Sequence, residues 1–244
     1  MPNPLAIILA AGKGTRMKSE LPKVLVPVCG RPMIDHVLET LIAGGVERHI
    51  VVVGYRADLV REALAGRSGV EFALQAEQLG TGHAVMAARE LLAGHDGPVL
   101  VVTGDAPMMQ PASIAALLAE FHRSPAACIL GTIHKENPTG LGRIVRDAQG
   151  RFQGIVEEKD ATPEQRRITE VNMSYYLFHC RDLLDSLGAL RADNAAREYY
   201  ITDSPGVLIA RGREVRALPI LQPCEALGVN NVHELAAVEE ALRT

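Results

Sequence analysis

The stretch Leu5-Ala-Ile-Ile-Leu-Ala-Ala-Gly-Lys-Gly-Thr-Arg-Met-Lys-Ser-Glu-Leu-Pro-Lys23 runs a short apolar segment into a glycine-paired loop carrying Lys13, Arg16 and Lys23. Leu5 to Leu9 predict a strand covered on both faces, as in a sheet flanked by helices. Gly12 and Gly14 predict a backbone that turns sharply and approaches a ligand closely, with free N–H groups able to face phosphate oxygens. Spacing excludes two familiar phosphate loops. A dinucleotide fingerprint needs glycine or alanine at position 17, and a P-loop needs Gly-Lys-Ser/Thr from that position; the chain has Met17 and Lys18. The loop reads as a nucleoside triphosphate cradle of another kind.

Working outward, apolar runs alternate with amphipathic ones, the pattern of a mostly parallel α/β sheet with right-handed crossovers. The strand candidates are Ala6 to Leu9 within that first run, His49 to Val53, Val70 to Ala73, Val99 to Thr103 and Cys128 to Ile133. Met33, Ile34, Val37, Leu38, Leu41 and Ile42 recur at helical spacing, as do Ile114, Leu117, Leu118 and Phe121, and both stripes read as core packing. After about residue 135 the strands shorten. Gly142 to Arg146 and Arg151 to Glu157, joined by Asp147 to Gly150, predict a hairpin, and Val171 to Phe178 a strand. Asp203 or Ser204 before Pro205 predicts a helix start, and Val232, Leu235, Val238 and Leu242 a closing helix. The expected organisation is one domain over 1–244: a nucleotide-binding lobe at 1–135, a smaller sugar-binding lobe at 136–227, and a loop with the last helix at 228–244. No internal repeat, and no hexapeptide repeat of a left-handed β-helix, is present.

With 244 residues, 48% of them hydrophobic, the chain can bury a substantial core. Its formal charge of -4 argues against a broad nucleic-acid surface, which needs a positive field to displace counterions. Cys29, Cys128, Cys180 and Cys224 form no CxxC pair and lack zinc spacing, so reduced thiols in a cytoplasmic protein are expected. There is no leader pattern and no run of about 18 apolar residues, so neither secretion nor membrane spanning is expected.

Three further motifs carry chemistry. Thr103-Gly-Asp105 ends a strand, where open α/β sheets bind ligands, and a carboxylate there suits Mg²⁺ or merely caps a turn. Gln75-Ala-Glu-Gln-Leu-Gly-Thr-Gly-His83 enters a helix near Thr81. Gln75 and Thr81 offer donors and acceptors to a base edge such as uracil, while Thr81 also fits an N-cap and His83 an ordinary helix position. Glu157 and Asn172 are polar positions in apolar strands and could hold sugar hydroxyls or face solvent. In Gly228-Val-Asn-Asn231, Asn231 with Glu234 fits a capping box, leaving Asn230 for another role.

Together, Leu9 to Met17, Pro22-Lys23, Gln75 to His83, Gly104-Asp105, Pro138 to Ile144, Glu157 with Lys159 to Ala161, Glu198 to Asp203 and Gly228 to Asn231 resemble the uridyltransferase half of bacterial bifunctional N-acetylglucosamine-1-phosphate uridyltransferases, over essentially the whole chain. The resemblance implies a Rossmann-like nucleotide-diphospho-sugar transferase fold. It implies transfer of a uridylyl group from UTP to N-acetylglucosamine 1-phosphate, giving UDP-N-acetylglucosamine and pyrophosphate. Leu9, Ala10, Ala11, Gly12, Gln75, Gly80 and Thr81 would hold the uridine, and Arg16 and Lys23 the phosphates. Asp105 and Asn230 would ligate Mg²⁺, with Gly142, Glu157 and Asn172 on the amino sugar and Thr103 and Gly104 beside them. Tyr199 and Tyr200 would shape the sugar pocket.

The chain departs from the family pattern at three points. Thr103 stands where tyrosine is frequent, and Met173-Ser174 where Thr-Gly is common, adding bulk near the expected acetamido pocket. The chain also stops before the acetyl-transferring β-helix of bifunctional members, as a standalone or a cut form. Two other readings remain: a nucleotidyltransferase for a different sugar 1-phosphate, and a non-catalytic nucleotide-sugar binding domain. Oligomeric state is not legible.

Overall fold

A computed structural model describes residues 3–14, 17, 19–229 and 231–243. The first half contains β1 (Leu5–Ala10), a small hairpin of β2 (Pro27–Val28) and β3 (Arg31–Pro32), α1 (Met33–Ala43), β4 (Arg48–Val53), α2 (Ala57–Ala63), β5 (Val70–Leu74), α3 (Thr81–Ala87), β6 (Pro98–Thr103), α4 (Pro111–Arg123) and β7 (Cys128–His134). It continues with β8 (Arg143–Arg146), β9 (Phe152–Val156), β10 (Glu170–His179), α5 (Cys180–Leu187), α6 (Ser204–Ala210), β11 (Val215–Leu218) and α7 (Val232–Arg243).

Among the described residues nine strands form one sheet whose main path is β11-β7-β10-β6-β1-β4-β5. β6, β1, β4 and β5 are parallel, as are β11 and β7, while β10 runs antiparallel between β6 and β7. The mostly parallel α/β expectation holds. The alternation of side chains along β1 explains why the strand is apolar throughout. Leu5 and Ile7 enter a core with α3, α5 and α6, while Ala6, Ile8 and Ala10 enter another with α1 and α4. Each fully buried isoleucine or leucine contributes about 2 kcal/mol of hydrophobic transfer.

Residues 136–227 give β10 and β11 to this sheet and carry the β8–β9 hairpin outside its main path, attached through Val171 opposite Arg143. The Asp147 carboxylate closes the hairpin turn by accepting from the backbone N–H of Gln149 and Arg151. A third, smaller core gathers Met17, Val28, Met33, Met108 and Val229 under Val238 of α7. Asn231 caps α7 as its spacing predicts, its Oδ1 accepting from the Glu234 N–H at 3.0 Å. All four cysteines are free thiols, and burial pushes Cys128 far above the usual thiol range. Among the described residues no helix is long and apolar enough to cross a membrane.

Candidate active site at the sheet switch point

The chain proceeds from β1 to β4 and β5 on one side, then returns to place β6 on the other. The β1–β6 crevice is therefore the topological switch point, where connections diverge and leave room beyond the strand ends. A cavity of about 260 Å³ opens there. Its floor is Leu9 to Gly12 from the β1 end and Thr103 and Asp105 from the β6 end, tied by the Gly104 N–H donating to Leu9 O at 2.9 Å. Lys23 reaches in from the loop, with Nζ 2.5 Å from Asp105 Oδ2.

The two loop glycines do different work. Gly14 takes a φ of 66°, and a Cβ there would lie 2.6 Å from the Lys23 Cβ, so close approach to Lys23 requires glycine. Gly12 has no positive φ, and nothing lies within 4 Å of where its Cβ would stand, so it leaves open space facing the cavity. Lys13 places its ammonium over the Tyr55 ring, 5.3 Å from the centroid.

Gln75, Gly80 and Thr81 form the opposite wall with Gln78, Ala84 and Glu198. Gln75 leaves β5 and is buried; its Nε2 donates to Gly80 O at 3.0 Å and lies 3.2 Å from His83 Nδ1. Gly80, at φ 106°, is the N-cap of α3, and Thr81 is its first helical residue rather than the cap. The Thr81 hydroxyl accepts from the Ile201 N–H at 3.1 Å, which binds the helix entry to the 198–202 segment.

That segment reaches a second polar cluster. Thr202 Oγ1 donates to Glu157 Oε1 at 3.0 Å. A Cβ on Gly142 would lie 3.7 Å from Glu157 Oε1 and 3.5 Å from the Asn172 Cβ, so the three expected sugar residues are neighbours. Burial pushes the Glu157 carboxyl above its usual range; the Thr202 bond opposes this, and Asp203, Asp160 and Glu198 reinforce it. Asn172 donates through Nδ2 to the Tyr176 hydroxyl at 2.6 Å and accepts from the Ser174 N–H at 3.1 Å. Ser174 sits in a bulge of β10 at φ 61°, a left-handed conformation that side chains resist.

Against known proteins, residues 6–205 match the MobA-like NTP transferase domain family. The chain belongs to the MobA-like NTP transferase family. It is 45% identical over 239 residues to a protein named bifunctional protein GlmU of Pelotomaculum thermopropionicum, a match covering 98% of this chain and 52% of that protein. It is 46% identical to the bifunctional protein GlmU of Pelobacter propionicus, over all of this chain and 53% of the relative, and 46% identical to that of Streptococcus suis, over all of this chain and 52% of the relative. The chain thus spans about half the length of these relatives and matches their N-terminal half. A crystal structure of UDP-glucose pyrophosphorylase complexed with UDP-glucose superposes with a TM-score of 0.78 at 18% identity, covering 100% of this chain and 99% of that one. This last likeness concerns the fold.

In this NTP transferase the first cluster of expected site residues therefore shares one cavity, and Gly142, Glu157 and Asn172 share a second cluster joined to it through residues 198–202. Arg16 and Asn230, expected at the phosphates and the metal, lie outside the described residues. Tyr199 packs on the base-motif helix: its carbonyl accepts from Gly82 N–H, its N–H donates to Leu79 O, and its ring lies 6.4 Å from that of His83. Val24, Gln78, Ala84 and Glu198 line the cavity without having been singled out as contacts. Gln78 and Glu198 fall inside motifs already quoted, which was the available signal; Val24 and Ala84 are apolar and carried none.

Nucleotidyltransferases of this kind generally depend on a divalent metal. Among the described residues no group of three histidine, cysteine or acidic side chains could hold one. The donor set nevertheless fits a hard cation. Asp105 gives a carboxylate at the cavity edge, and Mg²⁺ is commonly held by one or two carboxylates with substrate phosphates and water completing its shell.

Proposed function

We propose that this chain is a uridylyltransferase that joins UTP to N-acetylglucosamine 1-phosphate, releasing pyrophosphate. The observation that carries the proposal is the shared cavity: the Gln75–Thr81 base motif and the Lys23–Asp105 pair face the same space beyond β1 and β6. The relatives named GlmU support the uridylyl reading.

In the proposed reaction a phosphate oxygen of the sugar phosphate forms a bond to the α-phosphorus of UTP as the bond from that phosphorus to the bridging oxygen breaks, and pyrophosphate departs. The attacking phosphate is already anionic near neutral pH, so a general base adds little and positioning dominates. Gln75, Gly80 and Thr81 would seat the base, and Leu9 to Gly12 the nucleoside. Lys23, with Arg16, would hold phosphate oxygens and offset repulsion between the two anions. Thr103 and Gly104 would lie where the sugar phosphate meets the nucleotide, and Gly142, Glu157 and Asn172 would hold the sugar. Asp105 and Asn230 would hold Mg²⁺, which when bound supplies positive charge against the reacting phosphates and the leaving group. No cysteine is needed as a nucleophile, in keeping with the burial of Cys128 and Cys180.

In this reading the product is a nucleotide sugar for cell-wall precursor synthesis, made in the cytoplasm from small-molecule substrates. A specific feature favours one alternative: Ser174 stands in the bulge beside Asn172, so a different sugar 1-phosphate is the second reading. Pyrophosphate release measured across UTP, CTP, GTP and dTTP with several sugar 1-phosphates tests both. Highest turnover with UTP and N-acetylglucosamine 1-phosphate supports the first; a different preferred sugar supports the second. Nucleotide-sugar binding without any turnover would mark a non-catalytic domain.

A further inference from the structure

Gln75 is 3% exposed, so the direction of its amide is set by its partners and not by water. One terminal atom lies 3.0 Å from Gly80 O and 3.2 Å from His83 Nδ1. A backbone carbonyl can only accept, so that atom is the NH₂ group. Because the NH₂ group only donates, His83 Nδ1 must present a lone pair, and the neutral imidazole carries its proton on Nε2. Both amide hydrogens are then engaged inside the protein. What remains for the cavity is the carbonyl oxygen Oε1, which accepts no hydrogen bond among the described residues while the side chain lines the cavity.

We propose that His83 is a positioning residue for base selectivity: by accepting from Gln75 it holds the amide with its acceptor toward the base. The inference rests on the uridylyl reading above and adds a residue that does not itself line the cavity. An acceptor at that point favours a pyrimidine whose ring edge carries an imide N–H, as uracil and thymine do. It opposes cytosine, whose corresponding ring nitrogen offers a lone pair against a lone pair. Without His83, one amide hydrogen loses its partner and the orientation rests on Gly80 O alone, so the bias that keeps the acceptor toward the cavity weakens. Leaving a polar group unpaired is how a site rejects the wrong ligand. His83 is itself held in place: Tyr199 packs its ring 6.4 Å away and staples the motif through backbone bonds to Leu79 and Gly82.

The test compares the wild type with His83→Leu and His83→Asn. Asparagine Oδ1 occupies a place like that of Nδ1 and can accept; leucine has a similar shape and cannot. The readouts are kcat/KM for UTP, CTP and dTTP, and KM for N-acetylglucosamine 1-phosphate. His83→Leu is expected to lower the UTP-to-CTP ratio about tenfold, the worth of roughly one hydrogen bond. Its UTP-to-dTTP ratio and sugar-phosphate KM stay at wild-type values, and His83→Asn keeps the wild-type preference. A wild-type UTP-to-CTP ratio in His83→Leu, or an equal loss in His83→Asn, overturns the role of His83 and leaves the uridylyl reading standing. A wild type with no preference for UTP over CTP overturns both. Nitrogen-15 NMR of the wild-type imidazole needs no variant to fold: a Nε2–H tautomer of His83 is expected, and a Nδ1–H tautomer contradicts the proposal.

Discussion

Lys23 Nζ and Asp105 Oδ2 stand 2.5 Å apart, joining the glycine loop after β1 to the end of β6 across the mouth of the crevice. Each is the other's counter-charge at a site where, in the proposed reaction, a phosphate would take the lysine and a cation the carboxylate. Binding both together exchanges one ion pair for two. Asp105→Asn is therefore expected to lower kcat about a hundredfold, the scale of a lost electrostatic contact in a transition state. Lys23→Ala is expected to raise KM for UTP about tenfold. Because the two share one network, the double variant loses less than the product of the single effects, which a double-mutant cycle in steady-state kinetics would show. Both side chains are partly exposed, so melting temperatures shift little.

Glu157 gives a prediction in which stability and activity part. Burial raises its carboxyl pKa, so the folded state binds its proton more tightly than the unfolded chain does. Below the unfolded carboxyl pKa, about 4, both states are protonated and the site carries no penalty. As pH climbs through the higher folded value, stability declines, because a buried charge must be carried. Glu157→Gln is expected to melt higher than the wild type near neutral pH, with the difference vanishing in acid. The same change is expected to raise KM for the sugar phosphate about tenfold, while KM for UTP holds. Melting curves against pH, paired with kinetics, check both halves.

The bulge at Ser174 predicts a stabilising substitution. A non-glycine residue in left-handed conformation costs about 1 kcal/mol, and Ser174 adopts φ 61°. Ser174→Gly relieves this, and a rise in melting temperature of about 2 °C is expected. Since the Ser174 N–H holds Asn172 Oδ1, the backbone bond survives and the expected sugar contact keeps its orientation. Calorimetry measures the first effect, and KM across a set of sugar 1-phosphates measures whether the lost side chain widens the pocket.

The smallest core links α7 to the chemistry. Met17, Met108 and Val229 anchor three segments: the glycine loop, the turn after Asp105, and the loop leading to Asn230; Val238 of α7 is fully buried against the same cluster. Val238→Ala is expected to cost about 2 kcal/mol there, with the two main cores intact. Hydrogen exchange in the ligand-free protein is expected to quicken over residues 12–14, 17, 19–23 and 226–229 while β1, β4 and β6 stay protected. Uniform quickening would make the helix a general stabiliser.

Local pattern made much of this legible. The β1 run, the amphipathic stripes of α1 and α4, the Asp147 turn and the Asn231 cap involve neighbours in sequence, so spacing alone reveals them. The cavity floor followed from two strand-end motifs, Leu9 to Gly12 and Thr103 to Asp105. What spacing could not supply was pairing across long separations. The central, antiparallel position of β10 depends on β6 and β7, the Thr81 hydroxyl is engaged by Ile201, and Tyr199 turns to His83 because its backbone bonds Leu79 and Gly82. Gly12 and Gly14 looked equivalent because the difference between an open approach and a left-handed turn lies in φ and in the position of Lys23.

The most direct test of the uridylyl reading is product formation by the purified chain itself. Incubated with UTP, N-acetylglucosamine 1-phosphate and Mg²⁺, it is expected to yield UDP-N-acetylglucosamine and pyrophosphate in equal amounts by chromatography and mass spectrometry, with Asp105→Asn about a hundredfold slower. Absence of the nucleotide sugar from the wild-type reaction, or equal yield from the Asp105 variant, would contradict it.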